Sequence, residues 1–276
     1  MEVAGYELKE VLGEGRTGRV YRAVRVSDGT EVAFRQVKPH LAPDPAIVES
    51  VCALAKDCAD FKHVSLVPVL QAFSVQGALC VVEPLVEGQS LAARLEAGVM
   101  PPAEVVSLGQ QLCDALTELH GRDLHHGDIR PANVLLTGRG ARLVGLGVAD
   151  RTRRRRHERS MFGDPFDAPE VRDGSRGSAS ADLFALSATL HRALAGEQEW
   201  SDLPGTDDDS LLEVLKQGMG PTPMMRFPGA AEMRRLLGAA LGEVETAERQ
   251  REQAAAERRL AEAEQVAEAE RPARQL

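Results

Sequence analysis

The sequence predicts an α+β fold of two unequal lobes, a small β-rich lobe followed by a larger α-helical lobe. Apolar and β-branched residues recur at strand spacing from residue 6 to about residue 95, and helical periodicity dominates after about residue 88. From about residue 241 the chain is almost pure Ala, Glu, Arg and Gln. We therefore divide it into an N-terminal lobe at 1–86, a C-terminal lobe at 87–240 and a helical tail or linker at 241–276.

Composition and charge exclude several classes of protein. The 276 residues are 43% hydrophobic and 27% charged, as in an ordinary globular protein. The net charge of -9 argues against nucleic-acid binding, which needs a basic surface. No apolar run approaches the roughly 20 residues of a membrane span, and the N-terminus is no secretory signal. Four cysteines without a CxxC pair predict buried free thiols, so we expect a cytoplasmic protein with no membrane segment.

Five segments of the first lobe have the pattern of strands, with turn residues such as SDGT between them. They are YELKEVLGEG (6–15), GRVYRAVRV (18–26), EVAFRQVK (31–38), LVPVLQAFSV (66–75) and ALCVVEPLV (78–86). One segment with helical spacing, AIVESVCALAKDCADF (46–61), interrupts them.

The second lobe is predicted to be helical. Its clearest helix is PAEVVSLGQQLCDALTELH, with Pro102 near the start and Gly121 past the end. Further helices are predicted at 181–196, 208–218 and 229–245. The tail beyond them has only sparse large apolar residues (Val244, Leu260, Val266), too few for a coiled-coil seam. It is interpreted as an exposed helix, either merely solvated or serving as a linker or a weak self-association arm.

Residues 13–20, GEGRTGRV, match the pattern GxGxxGxV between two predicted strands. Gly13, Gly15 and Gly18 would let this turn lie close over phosphate groups with its backbone N–H groups facing the anion. Glycine turns are common, so the motif alone is weak. It is followed in order by VAFR (32–35), HGDIRPANVLL (126–136), DAPE (167–170) and SADLFALS (180–187).

In that order and spacing, these segments resemble the eukaryotic-type Ser/Thr protein kinase fold over about residues 6–240. HGDIRPANVLL is the most specific segment and is similar to the catalytic loop H-R-D-x-K-x-x-N. The resemblance implies a bilobal fold with a small antiparallel β-rich N-lobe and a larger α-helical C-lobe, here followed by an exposed C-terminal helix. Separately, the high usage of Ala, Arg and Gly suggests a bacterial source.

The resemblance implies a nucleotide pocket between the lobes. The glycine loop and Arg35 would face the phosphates, and apolar side chains would enclose the adenine. The backbone of Glu83 and Leu85 would offer hydrogen bonds to it. The implied pocket residues are Gly13, Gly15, Gly18, Val20, Ala33, Arg35, Glu83, Leu85 and Leu135.

Three positions of the phosphate-holding network depart from the family pattern. Arg35 replaces the strand lysine that holds the α- and β-phosphates, and its planar fork does not replace a compact ammonium. Leu54 stands where a helix glutamate would hold that lysine, with Glu49 as a less favoured substitute. Gly145 stands where an aspartate would bind Mg²⁺, which prefers oxygen ligands. Asp150 is a still less favoured substitute for that ligand, so no metal site is expected.

The catalytic loop is partly preserved. Asp128 stands where the base accepts the substrate proton, and Asn133 stands where a metal ligand lies. Arg130 replaces the usual lysine, and Gly127 replaces an arginine that pairs with a phosphorylated activation loop. Asp128 and Asn133 either catalyse or only brace the loop, and the second interpretation is favoured here.

The activation segment also departs from the pattern. RTRRRRHERS (151–160) has Thr152 and Ser160 as its only hydroxyls, and Asp164 replaces the family's threonine. Its arginines either dock an acidic or phosphorylated partner or are solvated.

Fold-supporting positions are intact. Glu170 is expected to pair with Arg226, and Asp182 to anchor the catalytic loop. His126, Leu146 and Cys58 take the stacked positions between the lobes.

We therefore interpret the chain as a pseudokinase and expect no enzyme activity, with residues 128, 130 and 133 vestigial. Its function would be scaffolding or allosteric regulation through a protein partner, another kinase or a signalling protein. It would require no cofactor, although ATP without Mg²⁺ could bind. The alternatives are a weakly active or atypical Ser/Thr protein kinase and a metal-independent ATP-binding switch.

Overall fold

The computed structural model describes residues 1–58, 60–152, 164–196 and 210–243, with Thr246, Arg249 and Gln253 in the tail. The three tail residues are helical, and the rest of the predicted tail lies outside the described residues. The same holds for Ser160 and the arginines of 153–156 in the activation segment.

The first lobe is a six-stranded sheet in the order β1-β2-β3-β4-β6-β5, antiparallel at every pair. Its strands are β1 (Glu2–Val3), β2 (Tyr6–Glu14), β3 (Gly18–Arg25), β4 (Glu31–Val37), β5 (Gln71–Val75) and β6 (Ala78–Pro84). The antiparallel sheet confirms the predicted fold of this lobe.

The predicted strand at 66–75 is wrong in its first half, because β5 begins only at Gln71. Leu66 and Val67 instead approach the second lobe, where the Val67 N–H donates to the Leu143 carbonyl at 2.9 Å. Pro68 lacks an N–H and cannot extend the ladder through this stretch.

Helix α1 (Pro45–Asp57) follows the sheet's fourth strand and is capped by Asp44, whose side chain accepts from the Ala46 N–H. It ends at Asp57 rather than at the predicted residue 61. Val51 and Leu54 are its buried residues, so its inner face is apolar.

The second lobe is helical, with a small sheet in the order β7-β8-β9 at its edge toward the first lobe. Pro102 begins α3 and Gly121 follows its last residue, as predicted. The elements are β7 (Gln89–Ser90), α2 (Leu91–Leu95), α3 (Pro102–His120), β8 (Val134–Thr137), β9 (Gly140–Leu143), α4 (Val148–Thr152), α5 (Pro169–Arg172), α6 (Ala179–Ala195) and α7 (Ser210–Gly218). Residues 230–243 form a further helix.

One apolar core extends through both lobes and includes Cys58 and Leu146, which the resemblance placed between them. Cys58, Cys80 and Cys113 are buried free thiols, as predicted, whereas Cys52 is half-buried. Burial raises the pKa of Cys113 to about 12, so its thiol is inert at neutral pH. Within the described ranges, no helix is long and apolar enough to cross a membrane.

Candidate functional site

The glycine loop joins β2 and β3 above the boundary between the lobes. The Gly15 N–H donates to the Gly18 carbonyl at 2.9 Å and closes the turn. A Cβ at Gly18 would collide with the Gln36 carbonyl of β4, whereas one at Gly13 or Gly15 would meet no atom within 4 Å. Gly18 is therefore required by packing, and the other two glycines leave the inner side of the loop open.

Arg35 lies in the middle of β4 and is buried. Its Nη1 donates to the Thr17 hydroxyl of the glycine loop at 2.7 Å. Its Nη2 lies 3.6 Å from Oε2 of Glu83, near the end of β6. The cation at the lysine position therefore has a carboxylate partner, which the sequence analysis did not anticipate.

Glu83 is 2% exposed, and its carboxylate points into the site. Its Oε1 accepts a hydrogen bond from the Gly145 N–H at 2.7 Å. Sequence analysis assigned only the backbone of Glu83 to the nucleotide pocket, and that backbone role stays a prediction. Leu54, by contrast, is fully buried in the apolar core, and Glu49 is exposed.

Gly145 has a φ of +81°, a conformation that favours glycine. A Cβ there would lie 3.3 Å from Arg35 Nη2 and 4.0 Å from Asn133 Cγ. The guanidinium of Arg35 therefore borders the space in which a side chain at position 145 would lie.

The described residues do not fit a magnesium ion held by the protein. Among them, no group of three His, Cys, Asp or Glu side chains could hold a metal. Gly145 offers no side-chain oxygen, and Asp150 is engaged elsewhere, accepting from the Gly177 N–H at 2.7 Å and from His125 Nε2 at 3.0 Å.

The position of Asp150 also explains why residue 127 is a glycine. Gly127 has a φ of +73°, and a Cβ there would lie 2.6 Å from the Cβ of Asp150. The space for the missing arginine side chain is therefore filled, and the substitution is part of the local packing.

Asp128 has both carboxylate oxygens engaged. Asn133 Nδ2 donates to its Oδ2 at 2.8 Å and also to its carbonyl at 2.8 Å. Arg130 Nε donates to its Oδ1 at 3.0 Å and also pairs with Asp164. The loop is anchored from α6 by Asp182, which accepts the N–H groups of His126 at 2.7 Å and Gly127 at 2.8 Å.

Asp182 is also paired with His120 Nε2 at 3.0 Å. Burial would raise the pKa of Asp182, but the hydrogen bond and charge of His120 outweigh it and hold that pKa below its ordinary range. Asp182 is therefore an ionised anchor of the catalytic loop, as expected.

Arg16, at the tip of the glycine loop, reaches across to the second lobe. Its guanidinium pairs with Asp128, with Asp167 at 3.2 Å and with Asp164 at 3.3 Å. Burial opposes the charge, but these carboxylates, Asp128 first, raise the pKa of Arg16. Sequence analysis missed this contact because Arg16 occupies a variable position of the glycine motif.

Two of the predicted adenine-lining side chains, Val20 and Ala33, lie on the face of the sheet that carries Arg35. Val20 lies opposite Arg35 in the sheet, and Ala33 lies opposite Glu83. Val20, Ala33, Leu85 and Leu135 are all half-buried. Their contact with adenine stays a prediction.

The predicted structural pair of the C-lobe is confirmed. Arg226 Nη1 and Nη2 donate to the two carboxylate oxygens of Glu170 at 2.7 and 2.8 Å. This bidentate geometry is the strongest arrangement for an arginine and a carboxylate.

Comparisons with known proteins agree with this geometry. The family model described as a protein kinase domain matches residues 6–225. The serine/threonine-protein kinase PknH of Mycobacterium bovis is 30% identical over 226 residues, 79% of this chain and 37% of that protein. The serine/threonine-protein kinase pkn2 of Myxococcus xanthus is 29% identical over 195 residues, 67% of this chain and 24% of that protein. The chain therefore spans well under half the length of these relatives.

A solved structure gives the same result. The crystal structure of a single-site mutant of the PknI kinase domain of Mycobacterium tuberculosis superposes with a TM-score of 0.72 at 25% identity, covering 88% of this chain and 97% of that one. This likeness confirms the predicted bilobal kinase fold.

The prediction that the chain is not an enzyme is contradicted by these comparisons, because the relatives are named Ser/Thr protein kinases. None of these names describes a pseudokinase or a scaffold. The physical reason for the error is that the substitutions were interpreted as losses without replacement, whereas Arg35 has a partner in Glu83 and Asp128 is held by Asn133. The chain belongs to the protein kinase domain family, with bacterial relatives of the Ser/Thr kinase type.

Proposed function

We propose that the chain is a Ser/Thr-type protein kinase domain of bacterial signalling, which transfers the terminal phosphoryl group of ATP to a protein hydroxyl. The names of its relatives support the reaction class. The observation that carries the proposal is the carboxylate of Asp128, which Asn133 holds in one orientation at 2.8 Å.

Asp128 is the residue that accepts the proton of the substrate hydroxyl. A general base must be fixed within hydrogen-bond reach of the proton that it accepts. Asn133 and Arg130 bind one carboxylate oxygen each, at 2.8 and 3.0 Å, and so fix the plane of the group. Phosphoryl transfer depends mainly on such positioning and on charge, which makes this preserved geometry informative.

Arginine side chains hold the phosphates in this proposal. Arg35 keeps a permanent positive charge beneath the glycine loop, to which Thr17 ties it at 2.7 Å. The adenine lies between Val20, Ala33 and Leu135. Gly145 and Asp150 supply no ligand for a magnesium ion held by the protein. No step of the proposed mechanism is therefore assigned to such an ion, and ATP is proposed to bind without one.

The domain is proposed to act with a protein partner, another kinase or a signalling protein, in a regulatory or scaffolding role. The contact between Arg16 and Asp128 favours a regulatory role, because the Arg16 guanidinium binds the carboxylate that is proposed to accept the substrate proton. A partner that draws the glycine loop away from Asp164 and Asp167 would free Asp128. Self-association through the tail is a further proposal that the described residues do not address.

Transfer of labelled phosphate from ATP to the chain itself, or to a generic Ser/Thr substrate, tests the proposal. The wild type is expected to transfer label, and Asp128→Asn is expected to abolish transfer with only a small decrease in melting temperature from the loss of its ion pair with Arg16. Asp173→Asn, at an exposed carboxylate, is the matched control and should behave as the wild type. A wild-type rate no higher than that of Asp128→Asn would overturn the proposal.

A further inference from the structure

Glu83 and Arg35 lie on the same face of the sheet by the register of its strands. Arg35 on β4 is directly opposite Val81 on β6, and Glu83 lies two residues beyond Val81. Side chains two residues apart on a strand share a face, and diagonal neighbours are within reach of long side chains. Ala33, directly opposite Glu83, is small and leaves room for the contact.

Helix α1 offers no comparable partner within the described residues. Its inner face is apolar, since Val51 and Leu54 are fully buried. Its two carboxylates, Glu49 and Asp57, are both exposed. A buried cation needs a partner, because an unpaired charge away from water is strongly unfavourable.

Glu83 makes a second contact that bears on the same site. Its Oε1 accepts the Gly145 N–H at 2.7 Å, while its Oε2 lies 3.6 Å from Arg35 Nη2. The Glu83 carboxylate therefore contacts both Arg35, which is proposed to face the phosphates, and Gly145, which stands where the family pattern has a metal ligand. Gly145 allows this approach, because any side chain there would meet Arg35 Nη2 at 3.3 Å or less.

We propose that Glu83 is the positioning residue for Arg35 in nucleotide binding, a role that a helix carboxylate does not perform in this chain. This inference rests on the proposed binding of ATP phosphates by Arg35. Its consequence is that the cation is placed by two adjacent strands, so movement of α1 does not release it. Regulation of this domain then acts elsewhere than on α1.

A nucleotide titration with matched variants tests the proposal. Glu83→Gln removes the charge but keeps an oxygen for Gly145, and it is expected to weaken ATP binding about tenfold while leaving adenosine binding unchanged. Glu49→Gln is the control on α1 and should bind both ligands as the wild type does. In an Arg35→Met background, Glu83→Gln should cause no further loss of ATP affinity.

Other outcomes would overturn the proposal. An equal loss for ATP and adenosine would mean that Glu83 only maintains the pocket, and a loss with Glu49→Gln would assign the role to α1. Should the wild type bind no ATP, the proposed function fails, but melting temperatures still test the pairing. Glu83→Gln leaves Arg35 unpaired, so the double variant Glu83→Gln/Arg35→Met is expected to melt above Glu83→Gln alone; the reverse order would refute the pair.

Discussion

At the scale of single residues, the carboxylate of Asp128 is shared by three side chains from two parts of the chain. Asn133 and Arg130 belong to its own loop, whereas Arg16 comes from the glycine loop of the other lobe. The first two orient the carboxylate and leave the base functional. Arg16 differs, because it reaches Asp128 from the other lobe and binds Oδ1, the oxygen that Arg130 also binds.

Replacing Arg16 by alanine is expected to raise the rate of phosphoryl transfer at saturating ATP. The Arg16 side chain is 35% exposed, so we assign its contact with Asp128 only about 1 kcal/mol, which corresponds to about a fivefold increase in rate. Steady-state transfer to a peptide measures it. Arg19→Ala, beside the same loop but paired with Glu14 rather than with Asp128, is the control. A rate that falls in Arg16→Ala and not in Arg19→Ala would show that Arg16 assists the reaction.

The departures from the family pattern could be identified in the sequence, but the contacts that fill the space beside them could not be predicted. Gly127 and Gly145 were identified as departures from the family pattern by their position alone. That Asp150 fills the space beside Gly127, and Arg35 the space beside Gly145, depends on contacts between residues far apart in the chain. A single sequence carries no direct signal for such contacts, and Glu83 was missed for the same reason.

At the scale of elements, α4 connects the catalytic loop with the start of the activation segment. Asp150 on α4 binds His125 Nε2 at 3.0 Å and the Gly177 N–H at 2.7 Å. The hydrogen bond with Asp150 raises the pKa of His125 above its ordinary value of 6.5, although burial and the charge of Arg151 oppose this. Asp182 adds to the raising effect.

The stability contributed by the His125–Asp150 pair should therefore decrease as the pH rises above about 6.5, whereas burial lowers the pKa of His126 and gives the opposite pH dependence. A folded-state pKa that is raised contributes stability fully below the unfolded pKa of 6.5, and this contribution is lost as the pH passes through the folded pKa. Between acidic and mildly alkaline buffer, the melting temperature of the wild type should fall relative to that of His125→Gln, by roughly 2–4 °C for each kcal/mol that the pair contributes. The variant His40→Gln, at an exposed histidine, should instead follow the pH dependence of the wild type. An unchanged slope in His125→Gln would assign the dependence to another group.

Helices and strands were predicted best where the buried residues recur at a regular spacing along the chain. The helix predicted at 102–120 is observed as Pro102–His120, because proline and glycine mark its ends and its apolar residues follow one face. The strand predicted from Leu66 fails because its apolar residues pack between the lobes rather than in a ladder. An apolar run predicts that its residues are buried, but it does not predict which part of the protein packs against them.

At the scale of the whole molecule, the two lobes are joined across the cleft by charged contacts as well as by the apolar core. Arg16 links the glycine loop to Asp164 and Asp167 on the C-lobe, and Glu83 links the sheet to Gly145. Arg35 adds a further cationic group on the N-lobe side, close to Gly145. Guanidinium groups therefore lie beside two positions of the candidate site, Arg16 beside Asp128 and Arg35 beside Gly145.

This arrangement predicts that ATP stabilises the chain about equally with and without magnesium. At a hundredfold excess over its Kd, ATP should add about 2.7 kcal/mol to the free energy of unfolding, whether the buffer contains EDTA or Mg²⁺. Thermal unfolding at several ATP concentrations measures this, with Arg35→Met as the variant that should lose most of the shift. Adenosine serves as the control for the adenine pocket, because it lacks the groups that Arg35 binds. A shift that appears only with magnesium would mean that Asp128 and Asn133 recruit the ion together with the nucleotide, and the arginines would then not replace it.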